Sequence, residues 1–299
     1  MGPRILKLTV SILIAFSFLF GIGAYEILHL SQNAQSLALH NTTSAYDRSM
    51  LQNNPASLSL EANKTVFSSL IFPAGIHSGE IQKIHIMGSG IHAGKLSYIN
   101  YGTIVDSETG EETTAYDILL EMGYKKELKN IVSVGISGGY LLSSISGYKS
   151  QLLYTKIGLR SRMKRKRMGL GFSLENIGFH ISSYTEVREP IPVVFRSSLY
   201  YRPKFVPAII NVDIIYILNA DALEFSSGVE LNPMKRLIFR IGCSTHRTEF
   251  ITNDLLNNLL ADISGGVGFQ FNKINLDVGF MNLGAAGYVV GFSISRHID

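Results

Sequence analysis

Lys273-Ile274-Asn275-Leu276-Asp277-Val278-Gly279-Phe280 alternates strictly, with Ile274, Leu276, Val278 and Phe280 on one parity and Asn275, Asp277 and Gly279 on the other. A β-strand points successive side chains to opposite faces, so this stretch has one aliphatic face and one polar, small-residue face. The same division recurs. In 208–216, Ile210, Val212, Ile214 and Tyr216 alternate with Asn211 and Asp213. In 169–175, Leu170, Phe172 and Leu174 alternate with Gly169, Gly171, Ser173 and Glu175. In 116–124, Tyr116, Ile118, Leu120, Met122 and Tyr124 stand opposite Asp117, Glu121 and Gly123. A soluble sandwich alternates too, but with a polar face richer in Lys, Glu and Thr. Gly, Ser, Asn and Asp on the polar face, and Tyr at the ends of the apolar face, predict apolar-out and polar-in: a transmembrane antiparallel β-barrel.

About fourteen such segments are legible, starting near Lys64, Gly79, His92, Thr113, Asn130, Ser150, Met168, Ile191, Val206, Leu223, Arg236, Ala261, Ile274 and Gly287. The fold class is therefore all-β, with a short N-terminal segment ahead of the barrel. Composition agrees. Of 299 residues only 17% are charged, below the roughly 25% of soluble domains, while 46% are hydrophobic and there are 28 Gly, 14 Tyr and 16 Phe. The net charge of +4 is too small and scattered to point to nucleic acid.

Arg4 and Lys7 precede an apolar run from Leu8 to Phe20, and small residues follow at Gly21, Gly23 and Ala24. That is the pattern of a secretory signal peptide over residues 1–24, cleaved after Gly23 or Ala24. Residues 25–62 form an irregular, plug-like segment, and 63–299 the barrel. Within the segment, Asn54-Pro55-Ala56-Ser57-Leu58 reads as a turn, because Pro55 restricts its own backbone and that of Asn54.

If the first strand runs outward from the periplasm, alternate connections fall on the periplasmic rim. These are basic: 125–129, 160–167, 202–204, 233–236 and 272–273. The run Arg160, Arg162, Lys164, Arg165, Lys166 and Arg167 is the strongest, and it predicts a rim touching anionic headgroups or an acidic protein partner. The opposite connections are longer and more acidic, as outer-membrane barrels have them.

The lone Cys243 alternates with Leu237, Phe239 and Ile241, so it reads as a wall residue and excludes an internal disulfide. No G-x-S-x-G elbow or H-E-x-x-H motif is present, and the eight histidines are scattered. The chain is read as non-enzymatic, with no cofactor and no metal. Glu175, Asp213, Glu224, Glu230 and Asp277 are placed to pair with Arg196 or Arg240 in a filled lumen.

The element Asn54-Pro55-Ala56-x-Leu58, followed by Leu96 to Gly102, the acidic loop with Glu108 and Glu111, Ala115-Tyr116-Asp117, Leu174 to Gly178 and Arg188-Glu189-Pro190, resembles the PorV/PorQ family of outer-membrane proteins, and its PorQ branch most. The resemblance spans most of 50–215. It implies a FadL-like barrel of fourteen strands and a component of a type IX-like protein secretion and surface-attachment complex. A secreted or surface-attached protein partner would then sit on the outer loops, at Asp106, Glu108, Glu111 and Glu112, at Arg188, Glu189 and Pro190, or at Leu255, Leu256, Leu259 and Leu260. Those four leucines follow helical spacing and offer either an apolar patch or a lid over the mouth. The alternative is passive transport of a hydrophobic small molecule through the lumen, with 25–62 as the plug and Gly135 to Gly139 as a strand kink. Outer-membrane lipid is a partner on either reading.

Overall fold

The computed structural model describes residues 25–42, 44–46, 50–59, 63–105, 112–128, 131–163, 167–186, 188–245 and 261–298. The proposed signal residues 1–24 lie outside them.

The strands are β1 (Lys64–Ile71), β2 (His77–Met87), β3 (Gly90–Val105), β4 (Glu112–Leu128), β5 (Val132–Ile145), β6 (Tyr148–Arg162), β7 (Met168–Ser182), β8 (Val194–Tyr201), β9 (Ala208–Ile217), β10 (Ala222–Met234), β11 (Leu237–Ser244), β12 (Ile263–Phe271), β13 (Ile274–Asn282) and β14 (Tyr288–His297). Each pairs antiparallel with its sequence neighbours, and β14 closes on β1 with Lys64 opposite His297. The result is a closed barrel of fourteen strands, so no sheet edge is left unpaired. Every segment read from the alternation is a strand, and each begins within three residues of its expected start.

The two faces divide as the alternation requires. Leu276, Val278 and Phe280 point outward and are exposed, while Asp277 is buried inside. Phe67, Leu120, Phe172, Ile214, Phe239 and Phe292 continue the exposed apolar band around the barrel, and Cys243 lies on it too. So much exposed apolar surface far exceeds the few hundred Å² that water-soluble monomers carry in one patch. Lipid is the solvent that suits it.

The rim bearing the start of β1 and the end of β14 is called here the terminal rim, and the opposite one the loop rim. Asp106, Glu108, Glu111 and the leucines Leu255, Leu256, Leu259 and Leu260 lie outside the described residues, as do Lys164, Arg165 and Lys166. The expected kink at Gly135 to Gly139 is not there: β5 pairs in unbroken register with β4 and β6 throughout. Gly135 and Gly139 instead make room inside the barrel, the first for the Pro55 backbone and the second for the Tyr154 ring. The ladder is irregular elsewhere, at Thr155 to Ile157 between β6 and β7, where Asn176 takes a positive φ of 61°.

The described residues of 25–59 lie inside the barrel. A single helical turn, α1 (Ala34–Ala38), rests on β11 to β14 and β1, and the turn Pro55–Ser57 rests on β4 to β7. Asn33 caps α1, its Oδ1 accepting from Ser36 N at 2.9 Å.

Candidate functional site

The inner segment fits because the wall beneath it has no side chains. A Cβ on Gly135 would collide with the backbone of Pro55 and Ala56, one on Gly158 with Asn54 Oδ1, and one on Gly171 with Ser44 O. A second group, Gly266 and Gly279, clears α1 in the same way. The Asn54 side chain then joins the segment to the wall. Its Oδ1 accepts from Ala56 N at 2.9 Å, and its Nδ2 donates to Ser44 O at 3.0 Å, Leu159 O at 3.2 Å and Phe172 O at 3.4 Å. Pro55 supplies the fixed φ of the turn. Leu58 is buried with Leu51, Ile84, Ile91 and Ala93, and its carbonyl accepts from Lys125 Nζ.

Ionic clusters fill much of the remaining lumen. Arg196 donates from Nε to Glu175 Oε1 at 2.9 Å and from Nη1 to Asp213 Oδ2 at 3.4 Å. Arg240 donates to Glu230 Oε2 at 2.9 Å and to Asp277 Oδ1 at 2.6 Å. Both arginines thus hold carboxylates that their parity had assigned to them. A third cluster has no counterpart in the sequence reading: Glu121 sits 2.7 Å from Lys95 Nζ and 3.3 Å from Lys156 Nζ, and also accepts from Ser137 and Tyr154 at 2.7 and 3.0 Å. Nearby, Gln82 donates to Glu80 at 2.9 Å and accepts from Leu51 N at 2.8 Å, tying the inner segment to β2. Desolvation makes each such charge costly alone, so they occur together.

Directly toward the loop rim from Glu121, the lumen changes character. Leu119, Leu141 and Leu152 stand side by side on β4, β5 and β6, and Ile99 lies one inward row higher. All four point inward and are buried, and they form one of several apolar patches on the inner wall. Tyr25, Ile27 and Leu28 of the inner segment fill the chamber these residues line, with Leu30, Ile76 and Ile191 at its margin. A residual cavity of about 20 Å³, room for one water, lies between Ile27, Leu28, Leu119, Lys95 and Lys156. The signal was present in the sequence: Leu119 shares the parity of Asp117 and Glu121, and Leu141 that of Gly139 and Ser143.

The inner segment also holds His29. Burial first, then the Arg196 and Lys156 cations, push its imidazole down to about 3. Its Nε2 is sealed from solvent with no hydrogen-bond partner among the described residues. A hydrogen-bonded network lies above it, toward the loop rim. The Tyr25 hydroxyl is 2.7 Å from Ser150 Oγ and 3.2 Å from His180 Nδ1, and His180 Nε2 is 2.9 Å from Glu189 O. A carbonyl only accepts, so Nε2 of His180 donates to Glu189 O.

Of the loop residues proposed as partner contacts, Glu112 begins β4 at the loop rim, and Arg188, Glu189 and Pro190 are exposed beside the mouth. The basic rim needs correcting. Arg160 is not on it: the side chain points into the lumen and is buried, and its Nε donates to Ala45 O at 2.6 Å. Lys125 is likewise internal. Arg162 pairs with Glu127 at 2.6 Å, and Arg167 lies at the turn, its carbonyl accepting from Arg202 N at 2.7 Å. At the terminal rim a polar vestibule of about 610 Å³ opens between the inner segment and β9 to β13, reaching up to Arg240, Glu230 and Asp277. Among the described residues no cluster of His, Cys, Asp and Glu is arranged to hold a metal.

No family model matches the chain, and no curated protein matches it. Solved structures do. The toluene transporter TodX of Pseudomonas putida superposes with a TM-score of 0.64 at 11% identity, over 88% of this chain and 97% of that one. The fold is FadL-like. The Ralstonia pickettii toluene transporter TbuX matches at a TM-score of 0.62 and 10% identity, over 89% and 98% of the two chains. A Pseudomonas aeruginosa FadL homologue matches at 0.52 and 10%, over 86% and 98%. The FadL-like barrel is a bacterial outer-membrane protein, and at these identities the likeness is one of fold. The expectation of a protein secretion and surface-attachment component is overturned here. TodX and TbuX are toluene transporters, which accords with the transport alternative.

Proposed function

We propose that the protein is a passive, non-enzymatic channel for hydrophobic small molecules across the outer membrane, with residues 25–59 as its plug and the terminal rim toward the periplasm. The observation that carries this reading is the apolar chamber on the loop-rim side of Glu121, where Leu119, Leu141 and Leu152 with Ile99 surround Tyr25, Ile27 and Leu28. A water-filled porin has no use for inward leucines, and ligand pockets are mostly apolar with a few placed polar groups. TodX and TbuX transport toluene, which supports the same substrate class. A hydrophobic solute that entered through the loops would compete with Tyr25, Ile27 and Leu28 for the chamber, and its binding would loosen the plug from within. The turn Asn54, Pro55 and Ala56 serves barrel construction on this reading, since it seats the plug on β5 to β7.

Uptake of radiolabelled toluene by cells carrying the protein, against cells with an empty vector, tests the proposal. The expected result is a faster initial uptake of unaltered toluene, lost when Leu119 and Leu141 are both replaced by Asp in a barrel that still folds. Equal uptake with and without the protein sinks it.

A further inference from the structure

The outer wall carries a concavity that transport through the lumen does not use. A groove of about 360 Å³ runs over β3 to β6, lined by His92, Met122, Tyr124, Ile136, Gly138 and Thr155. Its floor is open because Gly138 has no side chain: a Cβ there would meet only Tyr154 O, at 3.9 Å. The Thr155 hydroxyl donates to Ser137 O at 2.7 Å, which spends its polar group on the wall. Gly94, on the other side of Met122, also faces empty space.

The groove has a charged end. Lys83 lies opposite Gly94, which lies opposite Met122, which lies opposite Gly138, which lies opposite Thr155, all on the outer face. One row nearer the terminal rim come His85, His92, Tyr124 and Ile136, and one row further Lys126 beside Gly90. Lys83 and Lys126 are exposed, and neither has a salt-bridge partner among the described residues. The His92 and Tyr124 rings, tilted to each other with centroids 4.9 Å apart, line the groove on that side. A lysine on the lipid face is costly at mid-bilayer and tolerated near the interface, so this end marks the headgroup level. The barrel tilt sets the other end deeper. The turns on the terminal rim fall progressively further along the strands from β2 to β6, so Lys83 is closest to its turn, Met122 further, and Thr155 furthest. The row climbs from headgroup level into the hydrocarbon.

We propose that this groove is a binding site for one anionic phospholipid of the leaflet at the terminal rim. Its phosphodiester pairs with Lys83 and Lys126 beside the His92 and Tyr124 rings, and one acyl chain runs up between Met122 and Ile136 over Gly138 and Thr155. Charge complementarity at one end and an apolar, side-chain-free floor at the other fit a two-part ligand of this kind. The proposal is independent of what passes through the lumen.

Native mass spectrometry of the full barrel, released from mild detergent with phosphatidylglycerol or phosphatidylcholine added, tests it. The wild type is expected to retain one phosphatidylglycerol saturably, about ten-fold more tightly than phosphatidylcholine. Gly138→Leu, which fills the floor, is expected to lower retention of both lipids about ten-fold while the barrel keeps its heat-modifiable gel shift. The double variant Lys83→Gln, Lys126→Gln changes only exposed side chains, so it reads the headgroup end even if Gly138→Leu does not fold. It is expected to abolish the preference for phosphatidylglycerol. Non-saturable retention of several lipids, or unchanged preference in the double variant, overturns the proposal.

Discussion

The Glu121 carboxylate lies 2.7 Å from the Lys95 ammonium, on adjacent strands of the barrel, with both side chains sealed from water. Lys156 approaches the same carboxylate from β6 at 3.3 Å. One acid therefore serves two cations, and Glu121→Gln leaves both without their nearest countercharge. Loss of one partner of a buried pair costs about 3–5 kcal/mol, and here the penalty falls on two groups. The expected outcome is a barrel whose urea midpoint drops well below that of the wild type, with part of the loss restored when Lys95 and Lys156 are also replaced by Met. A midpoint unchanged in Glu121→Gln would show that water reaches the cluster.

The plug seat is testable at Gly171, where a Cβ would lie 2.7 Å from Ser44 O and 3.0 Å from Ala45 Cα. Both are backbone atoms, so the segment must move. Overpacking of this kind costs about 1–3 kcal/mol. Gly171→Ala is expected to dislodge the inner segment and raise single-channel conductance in planar bilayers. Gly79→Ala, with nothing within 4 Å of its new Cβ, is the control and is expected to conduct as the wild type does. Matching traces from all three proteins would mean that the segment does not limit conduction.

His29 makes the seated plug sensitive to acid. Its imidazole, ordinarily near 6.5, is pushed down to about 3 by burial and the nearby cations. Above pH 6.5 both the seated and released states hold it neutral, and it contributes no pH dependence. Between 6.5 and about 3 the released state binds a proton that the seated state does not, so seating weakens as pH falls. The expected result is a higher open probability in planar bilayers at pH 4.5 than at pH 7.5, with the difference reduced in His29→Gln. An equal pH response in the variant would assign it to other groups.

The wall orientation can be checked at adjacent positions of β13. Val278 faces outward and Asp277 inward. An arginine on the lipid face near the bilayer midplane costs about 2–4 kcal/mol. Val278→Arg is expected to lower the yield of folded, heat-modifiable barrel in phospholipid vesicles, while Val278→Leu folds as the wild type does. Equal folding of both would place Val278 away from the hydrocarbon.

How far such features are legible in a sequence follows from the range of the interactions that make them. Period-two alternation is a property of neighbouring residues. It was enough to place every strand, to put Val278 on the lipid side and Asp277 on the other, and to bring Arg196 and Arg240 inside with acidic partners. Arg160 shows how composition misleads where parity would not. It was grouped with the basic turn that follows it, yet it shares the inward parity of Lys156 and Gly158.

The sequence by itself determined the fold class, the strand count and which side of the wall residues of the regular strands face, because these depend on local backbone geometry and on a solvent that differs on the two sides. Only the tertiary structure decided which inward residues meet. Glu121, Lys95 and Lys156 come from different strands, and the hydrogen-bond register between those strands puts them in contact. The row Leu119, Leu141 and Leu152 is a row only once that register is set. Gly135, Gly158 and Gly171 become a seat only when Asn54 and Pro55 lie on them. Register and the path of the inner segment are settled by closing the ring and filling its interior, where each side chain answers to neighbours that the linear order does not name.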